Sequence, residues 1–324
     1  SIHDAEDLSQ EIAIRAFRAL LIKDDVVDMG KFIWTVAHNT LSNYYRDAAK
    51  SMVGVSIDEV AELIADPYSE LDTDDNTEDA RLAPKRGMVE FLTTIHYVEK
   101  YLKPGMRILE IGAGTGRYSH YFAQNGYDVD AVELMECNIE VFKANTKDGE
   151  NITVQQGDAV DLQNIASDQY DITLLLGPMY HLYTDEDKLA AMSEAIRVTK
   201  KGGIVFAAYC NNDITVYHFG FLRGGFNTGE HNDLIDFETF KLSSTPKEVF
   251  ALYRQEDVNE LMSHFRTERL HYVGTDMLTR FIGGTVDEMD EKTFEMYMKY
   301  HLCICERKDM VGATAHMLDV FRKE

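Results

Sequence analysis

The glycine-rich turn Gly112-Ala-Gly114-Thr-Gly116 constrains the fold of this 324-residue chain more than any other feature. It follows a run of β-branched residues and leucine at 107–111 and precedes a helical pattern at 118–125. A glycine has no side chain, so the three glycines let backbone N–H groups approach a ligand closely and begin a helix there. The turn therefore predicts a strand, a ligand-binding loop and a helix, in that order.

Strand and helix patterns alternate between about residue 85 and residue 210, and two more helical patterns follow. Apolar runs predict strands at 107–111, 128–133, 152–155, 170–176 and 204–210. Helical periodicity predicts helices at 88–102, 118–125, 137–145, 185–199, 277–282 and 293–306. Thr184 is the expected N-cap of the helix at 185–199. Strands that alternate with helices predict an α/β fold, a parallel sheet covered on both faces.

The charge balance disfavours two classes of partner. Lys and Arg number 32 against 56 Asp and Glu, which gives a formal net charge of −24. A surface this acidic repels phosphate backbones and anionic lipid headgroups. We therefore expect neither DNA nor RNA binding, and no membrane partner.

The four cysteines, Cys137, Cys210, Cys303 and Cys305, include no CxxC pair. This spacing predicts no zinc site, and we expect no metal and four buried, reduced thiols. The first residues lack a basic and apolar leader, and no apolar run reaches the roughly 18 residues that a membrane helix needs. Cytoplasmic localisation is the resulting expectation.

Composition divides the chain into three parts. Residues 66–84 are acidic, contain two prolines and have few large apolar residues, which is typical of a linker. Residues 1–65 show helical periodicity and no strand pattern. Residues 85–324 carry the α/β pattern and form the predicted catalytic part.

Acidic residues near the glycine turn indicate which cofactor it binds. Glu133 ends the second predicted strand, where a carboxylate can accept hydrogen bonds from both ribose hydroxyls. Arg117 stands where a dinucleotide fingerprint requires glycine. Glu110 would repel a pyrophosphate but suits a cationic ligand, and Asp158 can accept from the exocyclic amine of adenine. S-adenosylmethionine (SAM) has a sulfonium, an amino group and no phosphate, so it fits this set.

Residues 83–324 resemble the class I SAM-dependent methyltransferases. The matching motifs are Glu110-x-Gly112-x-Gly114-x-Gly116, Glu133, Gly157-Asp158, Leu176-Gly-Pro-Met-Tyr-His-Leu182 and Val198-Thr-Lys-Lys-Gly-Gly203. The resemblance implies a Rossmann-like seven-stranded sheet with one antiparallel strand, for which residues 316–322 are the candidate. It also implies SAM as cofactor and S-adenosylhomocysteine as product. The implied cofactor-binding residues are Glu110, Gly112, Ala113, Gly114, Gly116, Tyr118, Glu133, Leu134, Asp158, Ala159 and Leu176.

Tyr180 and His181 are the candidate catalytic residues. They follow the fourth predicted strand, and ligands of open parallel sheets bind beyond the carboxyl ends of the strands. His181 could accept a proton if the methyl acceptor arrives protonated. The alternative is that His181 only packs against the turn.

Residues 211–244 interrupt the sheet pattern and are rich in glycine, asparagine and aromatic residues. In methyltransferases, such insertions usually form a substrate cap made of helices and loops. A mobile cap would exclude water during transfer. The alternative is a surface elaboration that only covers the sheet edge.

Residues 3–20 and 31–59 resemble region 2 of the extracytoplasmic-function sigma factors, which implies contact with RNA polymerase. The segment 43–50, which would face DNA, holds only Arg46 and Lys50 as basic residues. Promoter binding is therefore disfavoured. Three alternatives remain for this arm. It packs on the catalytic domain as a helical cap, on a second copy of the chain, or on RNA polymerase.

We therefore expect an enzyme that transfers a methyl group from SAM to a small or medium-sized molecule by in-line displacement. The alternative is a transcription-linked protein whose arm binds polymerase while the SAM domain senses a signal or modifies a protein. The residues do not identify the acceptor or the atom that is methylated.

Overall fold

A computed structural model describes residues 84–229, 232–244 and 250–324. The predicted helical arm (1–65), its resemblance to sigma region 2 and nearly all of the predicted linker (66–84) lie outside these residues.

The described residues form one large mixed sheet with helices on both faces. Its strands are β1 (Arg107–Ile111), β2 (Asp128–Glu133), β3 (Ile152–Gln156), β4 (Tyr170–Leu175), β5 (Thr199–Asn211), β8 (Leu252–Tyr253), β9 (Thr267–Gly274) and β10 (His316–Lys323). A separate hairpin pairs β6 (Ile235–Asp236) with β7 (Lys241–Leu242). The main helices are α1 (Lys85–Glu99), α2 (Arg117–Gln124), α3 (Glu136–Asn145), α4 (Asp185–Val198), α5 (Gln255–Ser263), α6 (Thr279–Asp287) and α7 (Glu291–Ile304).

The strand order is β3-β2-β1-β4-β5-β10-β9, and β8 pairs with the end of β5. β1 to β5 are parallel, whereas β10 runs antiparallel to both of its neighbours. The predicted Rossmann-like sheet and its antiparallel strand at 316–322 are confirmed. β9 and the short β8, which adds an eighth strand, are not revealed by the sequence pattern.

Both faces of the sheet are apolar, which is why the central strands read as nearly continuous apolar runs. On one face, Ile108 and Phe206 pack with Phe91 of α1 and Phe122 of α2. The other face packs against α4 and α5. Buried helices therefore hold the strands, and the carboxyl ends of the strands carry the loops that concern function.

Most predicted elements agree with the structure to within a few residues, but β5 begins earlier than predicted. Thr184 caps α4 as expected, because its side chain accepts from the backbone N–H of Asp187. α4 ends at Val198 and the chain enters β5 directly at Thr199, five residues before the predicted start at Ile204. The polar stretch Lys200–Gly203 hides this part of the strand, because it lacks an apolar pattern.

The expectation of four buried cysteines is wrong for two of them. Cys210 and Cys305 are buried, but Cys137 and Cys303 are exposed on helices α3 and α7. No helix within the described ranges is long and apolar enough to cross a membrane.

Candidate cofactor and acceptor site

The glycine turn needs glycine at both of its ends. Gly112 and Gly116 have φ values of 73° and 90°, in the left-handed region that disfavours other residues. A Cβ at Gly112 would lie 2.6 Å from the ring of Pro178, and one at Gly116 would lie 2.4 Å from the ring of Phe142. The glycines therefore allow both the backbone conformation and the close packing that the turn requires.

The Glu133 carboxylate lies beside this turn, at the end of β2. Its Oε2 accepts from the backbone N–H of Gly114 at 2.8 Å. Its Oε1 accepts from the backbone N–H of Met135 at 2.9 Å and from Asn138 Nδ2 at 3.1 Å. A carboxylate has about four acceptor positions, so these three bonds orient Glu133 and leave about one position for a ribose hydroxyl.

Glu110 contributes a second negative charge beneath the turn. It is 2% exposed and lies in β1. Its Oε2 accepts from the backbone N–H of Ser119 at 2.9 Å and from the Ser119 hydroxyl. These bonds fix the first turn of α2 and hold a buried carboxylate close to the loop, which favours a cationic ligand.

The loop after β3 lies at the same edge of the sheet as the loops after β1 and β2. The backbone N–H of Gly157 donates to the carbonyl of Glu133 at 3.0 Å, and Gln156 Nε2 donates to the carbonyl of Leu134 at 3.0 Å. Asp158 is exposed, and its Oδ1 accepts from the backbone N–H of Val160. Leu134 is also exposed, whereas Ala159 is nearly buried. The loops after β1, β2 and β3 therefore meet at one edge.

Three further predicted cofactor residues are buried. Tyr118 is 2% exposed, and its ring centroid lies 4.9 Å from that of Phe91 in α1. Leu176 is 9% exposed, and Ala113 is fully buried. These residues lie beneath the surface of the loops, and their contact with a cofactor stays a prediction.

The acceptor side begins where strand order reverses, between β1 and β4. A Cβ on Gly177 would lie 3.3 Å from the carbonyl oxygen of Gly112 and 3.9 Å from the Tyr180 hydroxyl. The loops after β1 and β4 are therefore in contact, and Tyr180 lies next to that contact. Such a switch point is where open α/β sheets bind ligands.

Phe250 joins Tyr180 and His181 in an aromatic group that the sequence does not predict. The ring centroid of Phe250 lies 5.2 Å from that of Tyr180 and 5.0 Å from that of His181, both edge-on. His181 is exposed and Tyr180 is half-buried. Phe250 lies far along the chain from both residues, so no local pattern could have placed it there.

Backbone contacts hold this group in place. The backbone N–H of Ala251 donates to the carbonyl of Tyr180 at 2.8 Å. The Tyr253 hydroxyl donates to the carbonyl of Met179 at 2.7 Å. Burial raises the pKa of Tyr253 far above its ordinary value, so this donor keeps its proton at every physiological pH.

The predicted cap segment carries exposed aromatic and aliphatic side chains. It contains a short helix (Asn212–Thr215), a π-helix (Val216–Leu222) and the β6–β7 hairpin. Phe221 and Leu222 are about 60% exposed and Phe237 is 52% exposed. Large apolar side chains are rarely exposed together without a role in binding.

The residues fit SAM. The turn offers backbone groups at three glycines, Glu133 offers an acceptor for ribose, and Glu110 supplies a buried carboxylate beneath the turn, which suits a cationic ligand. A pyrophosphate would meet the same Glu110 carboxylate, which would repel it.

Comparison with known proteins supports this assignment. Residues 108–203 match the sequence family described as a methyltransferase domain. The chain is 26% identical over 119 residues to the ubiquinone biosynthesis O-methyltransferase of Pseudomonas fluorescens, which is 36% of this chain and 50% of that protein. It is 34% identical over 106 residues to the demethylmenaquinone methyltransferase of Renibacterium salmoninarum, 32% of this chain and 41% of that protein. The chain thus spans about half the length of the curated relatives that it matches.

Solved structures that resemble the chain include the PH0226 protein of Pyrococcus horikoshii, with 14% identity and a TM-score of 0.48 over 73% of this chain and 91% of that one. Another is a SAM-dependent methyltransferase of Methanosarcina mazei, with 16% identity and a TM-score of 0.45 over 70% of this chain and 96% of that one. The strand order and the matched family model show that residues 108–203 are similar to the core of class I SAM-dependent methyltransferase domains, which use SAM as their cofactor.

Proposed function

We propose that this protein transfers a methyl group from SAM to a small or medium-sized molecule. SAM supplies a methyl group on a positively charged sulfur, which is already activated for displacement. The observation that carries the proposal is the Glu133 carboxylate, which the backbone N–H groups of Gly114 and Met135 hold beside the glycine turn.

The cofactor residues have distinct roles in this proposal. Glu133 accepts from the ribose hydroxyls, and Asp158 accepts from the adenine amine. Glu110 stabilises the positive end of the cofactor through its buried charge. Alignment of the acceptor with the methyl group would supply most of the rate enhancement.

Tyr180 and His181 are the proposed acceptor-side residues. Their position after β4, beside the contact between Gly112 and Gly177, supports this role. His181 accepts a proton when the acceptor is a hydroxyl or a protonated amine, and Tyr180 orients the acceptor. Phe250 restricts both rings and shields one side of them from water.

The cap supports an acceptor with apolar surface. Exposed Phe221, Leu222 and Phe237 would be covered by such a molecule or by closure of the segment 211–244 over it. Two relatives are named for ubiquinone and demethylmenaquinone chemistry, and another is named a cyclopropane-fatty-acyl-phospholipid synthase from Escherichia coli. We propose an acceptor that combines a nucleophilic oxygen, nitrogen or carbon with an apolar body.

The alternative, a transcription-linked protein, depends on the arm at residues 1–65, which lies outside the described residues. No observation in the described part of the chain favours it. Contact with RNA polymerase and formation of a homodimer therefore stay predictions from the sequence.

The test uses the full chain with SAM that carries a radiolabelled methyl group. Acceptors are offered as matched pairs, an apolar phenol or quinol and its already methylated ether. We expect label in the organic phase for the free hydroxyl and none for the ether. Folded, SAM-binding protein that labels neither these acceptors nor amines and fatty acyl lipids would contradict the proposed activity.

His181→Ala is the variant that tests the proposed base. We expect slower methyl transfer with unchanged SAM affinity, and a loss that shrinks at high pH, where the acceptor is already deprotonated. Equal rates for wild type and variant across the pH range would mean that His181 only packs against the turn.

A further inference from the structure

A second polar cluster lies at the same edge of the sheet, formed by Glu90, Asp276 and His316. His316 begins β10 opposite Cys210 near the end of β5, and Asp276 follows the end of β9. Glu90 reaches the cluster from α1. The carboxyl ends of β5 and β9 thus bring together three residues that are far apart in the chain.

The donor atoms have the spacing of metal ligands. His316 Nδ1 lies 2.9 Å from Asp276 Oδ2 and 3.4 Å from Glu90 Oε2, and one donor atom from each residue lies within 4.8 Å of the others. Ligands bound to one ion at about 2.0–2.2 Å are separated by roughly 3.0–3.5 Å in octahedral or tetrahedral geometry. A small shift of these side chains would therefore accommodate an ion.

The surroundings orient one of the ligands. Asp276 Oδ1 accepts from the Thr314 hydroxyl at 2.6 Å and from the backbone N–H groups of Ala315 at 2.8 Å and His316 at 3.2 Å. Oδ2 therefore points to His316. At metal sites, hydrogen bonds of this kind hold the residues that bind the ion in the required orientation.

His301 provides an independent observation that points to a ligand. Its side chain is 1% exposed, and its Nε2 has no hydrogen-bond partner among the described residues. The end of α7 lies against the end of β9, because the backbone N–H of Gly274 donates to the carbonyl of Cys305. A buried imidazole nitrogen without a partner is unfavourable, and a water molecule bound to an ion at the neighbouring cluster would supply that partner.

We propose that Glu90, Asp276 and His316 bind a divalent transition-metal ion. Two buried carboxylates need positive charge beside them, and a divalent ion bound to the unprotonated Nδ1 of His316 would supply it in place of the proton. An imidazole donor favours zinc over magnesium or calcium, which prefer oxygen ligands. The side chains of the three central residues are 10–15% exposed, so an ion can enter from solvent.

The proposal does not rest on methyl transfer, because metal binding is measured without SAM or an acceptor. Full-length protein is treated with EDTA, dialysed and titrated with Zn²⁺ in the presence of a competing chelator, and Mg²⁺ serves as the comparison. We expect one Zn²⁺ per chain and no binding of Mg²⁺ at the same concentration.

Glu90→Gln tests the site with little risk to folding, because it keeps the shape of the side chain. Glu99→Gln, at an exposed position of the same helix, is the matched control. We expect Glu90→Gln to weaken Zn²⁺ binding roughly 100-fold or more, since loss of an outer partner alone typically costs 10–100-fold. Glu99→Gln should bind like wild type. Equal binding by Glu90→Gln and wild type would overturn the proposal.

X-ray absorption at the zinc edge of the wild-type protein keeps the test decisive if a variant does not fold. We expect a first shell of nitrogen and oxygen with imidazole scattering. A sulfur shell would assign the ion to the exposed Cys137 or Cys303 and overturn the proposal. Absence of bound metal would overturn it too, and would leave the SAM site and the proposed activity unaffected.

Discussion

The two flanks of the sheet hold their polar groups in different ways. On the cofactor flank, β1, β2 and β3 end in short loops, and Glu133 and Glu110 are fixed by backbone N–H groups only a few residues to about 20 residues away. On the acceptor flank, Phe250 meets Tyr180 and Glu90 meets His316 across 70 or more residues of chain. Contacts between residues close in the sequence fix the groups on the first flank. Contacts between residues far apart in the sequence fix those on the second.

This difference matches what each flank must do. A cofactor of fixed structure can be bound by a rigid loop whose geometry follows from glycines and one strand end. An acceptor that differs between enzymes is bound by variable loops and insertions on a constant scaffold. Changes on the cofactor flank should therefore affect folding and SAM affinity, and changes around Tyr180 and His181, on the proposed acceptor flank, should slow transfer with little effect on SAM affinity.

Gly116→Ala should have the largest effect, on the cofactor flank. The new Cβ would lie 2.4 Å from the Phe142 ring at a φ of 90°, so it combines steric overlap with backbone strain. We expect unfolding free energy to fall by about 2–4 kcal/mol and SAM affinity to fall at least tenfold, measured by urea titration and calorimetry.

Gly126→Ala tests the effect of backbone strain without steric overlap of the added Cβ. Gly126 has a φ of 86°, but a Cβ added there would have no atom within 4 Å. It should lose only about 1 kcal/mol of stability and keep full SAM affinity. Equal losses for both variants would show that the turn is not packed as described.

Glu133→Gln should have the next largest effect. Hydrogen bonds to a charged group contribute about 1.5–3 kcal/mol, so SAM affinity should fall about 10–150-fold by calorimetry. Glu136→Gln, at an exposed position three residues later, should bind SAM like wild type. Unchanged SAM affinity in Glu133→Gln would contradict the assignment of the β1–β3 flank to the cofactor.

Phe250→Ala should affect the acceptor flank alone. It removes two edge-on aromatic contacts, each of about 0.5–1.5 kcal/mol. We expect kcat/KM for the acceptor to fall about tenfold while SAM affinity stays within about twofold. Tyr300→Ala, which removes an exposed aromatic side chain from α7, should leave both quantities unchanged. A loss of SAM affinity in Phe250→Ala would mean that the flanks are coupled.

Glu194→Gln should have the smallest effect and a pH signature. Hydrogen bonds from Arg197 lower the pKa of Glu194 below its ordinary value of 4.5. The Glu194 carboxylate therefore binds a proton more weakly in the folded state than in the unfolded state. Its contribution to stability is present above pH 4.5 and is lost as the pH falls. We expect a loss of about 0.5–1 kcal/mol at pH 7 that shrinks as the pH falls below 4.5 and is gone once Glu194 is protonated in the folded state, measured by urea titration. Glu140→Gln, exposed on α3, should show neither effect.

Sequence predicts the cofactor flank well and the acceptor flank poorly, for physical reasons. The strands at 107–111 and 128–133 have the predicted bounds, because glycines at 105, 112 and 126 bracket their apolar residues. The lysines and glycines at 200–203 conceal the start of β5. Phe250 and the cluster of Glu90, Asp276 and His316 have no local signature, since only the strand order brings them together.

Calorimetry of SAM and S-adenosylhomocysteine with the full chain tests the central claim most directly. The geometry of the glycine turn and Glu133 predicts one binding site for each compound, with affinity reduced in Glu133→Gln and unchanged in Glu136→Gln. Folded wild-type protein that gives no binding heat and no thermal stabilisation with either compound would contradict the account.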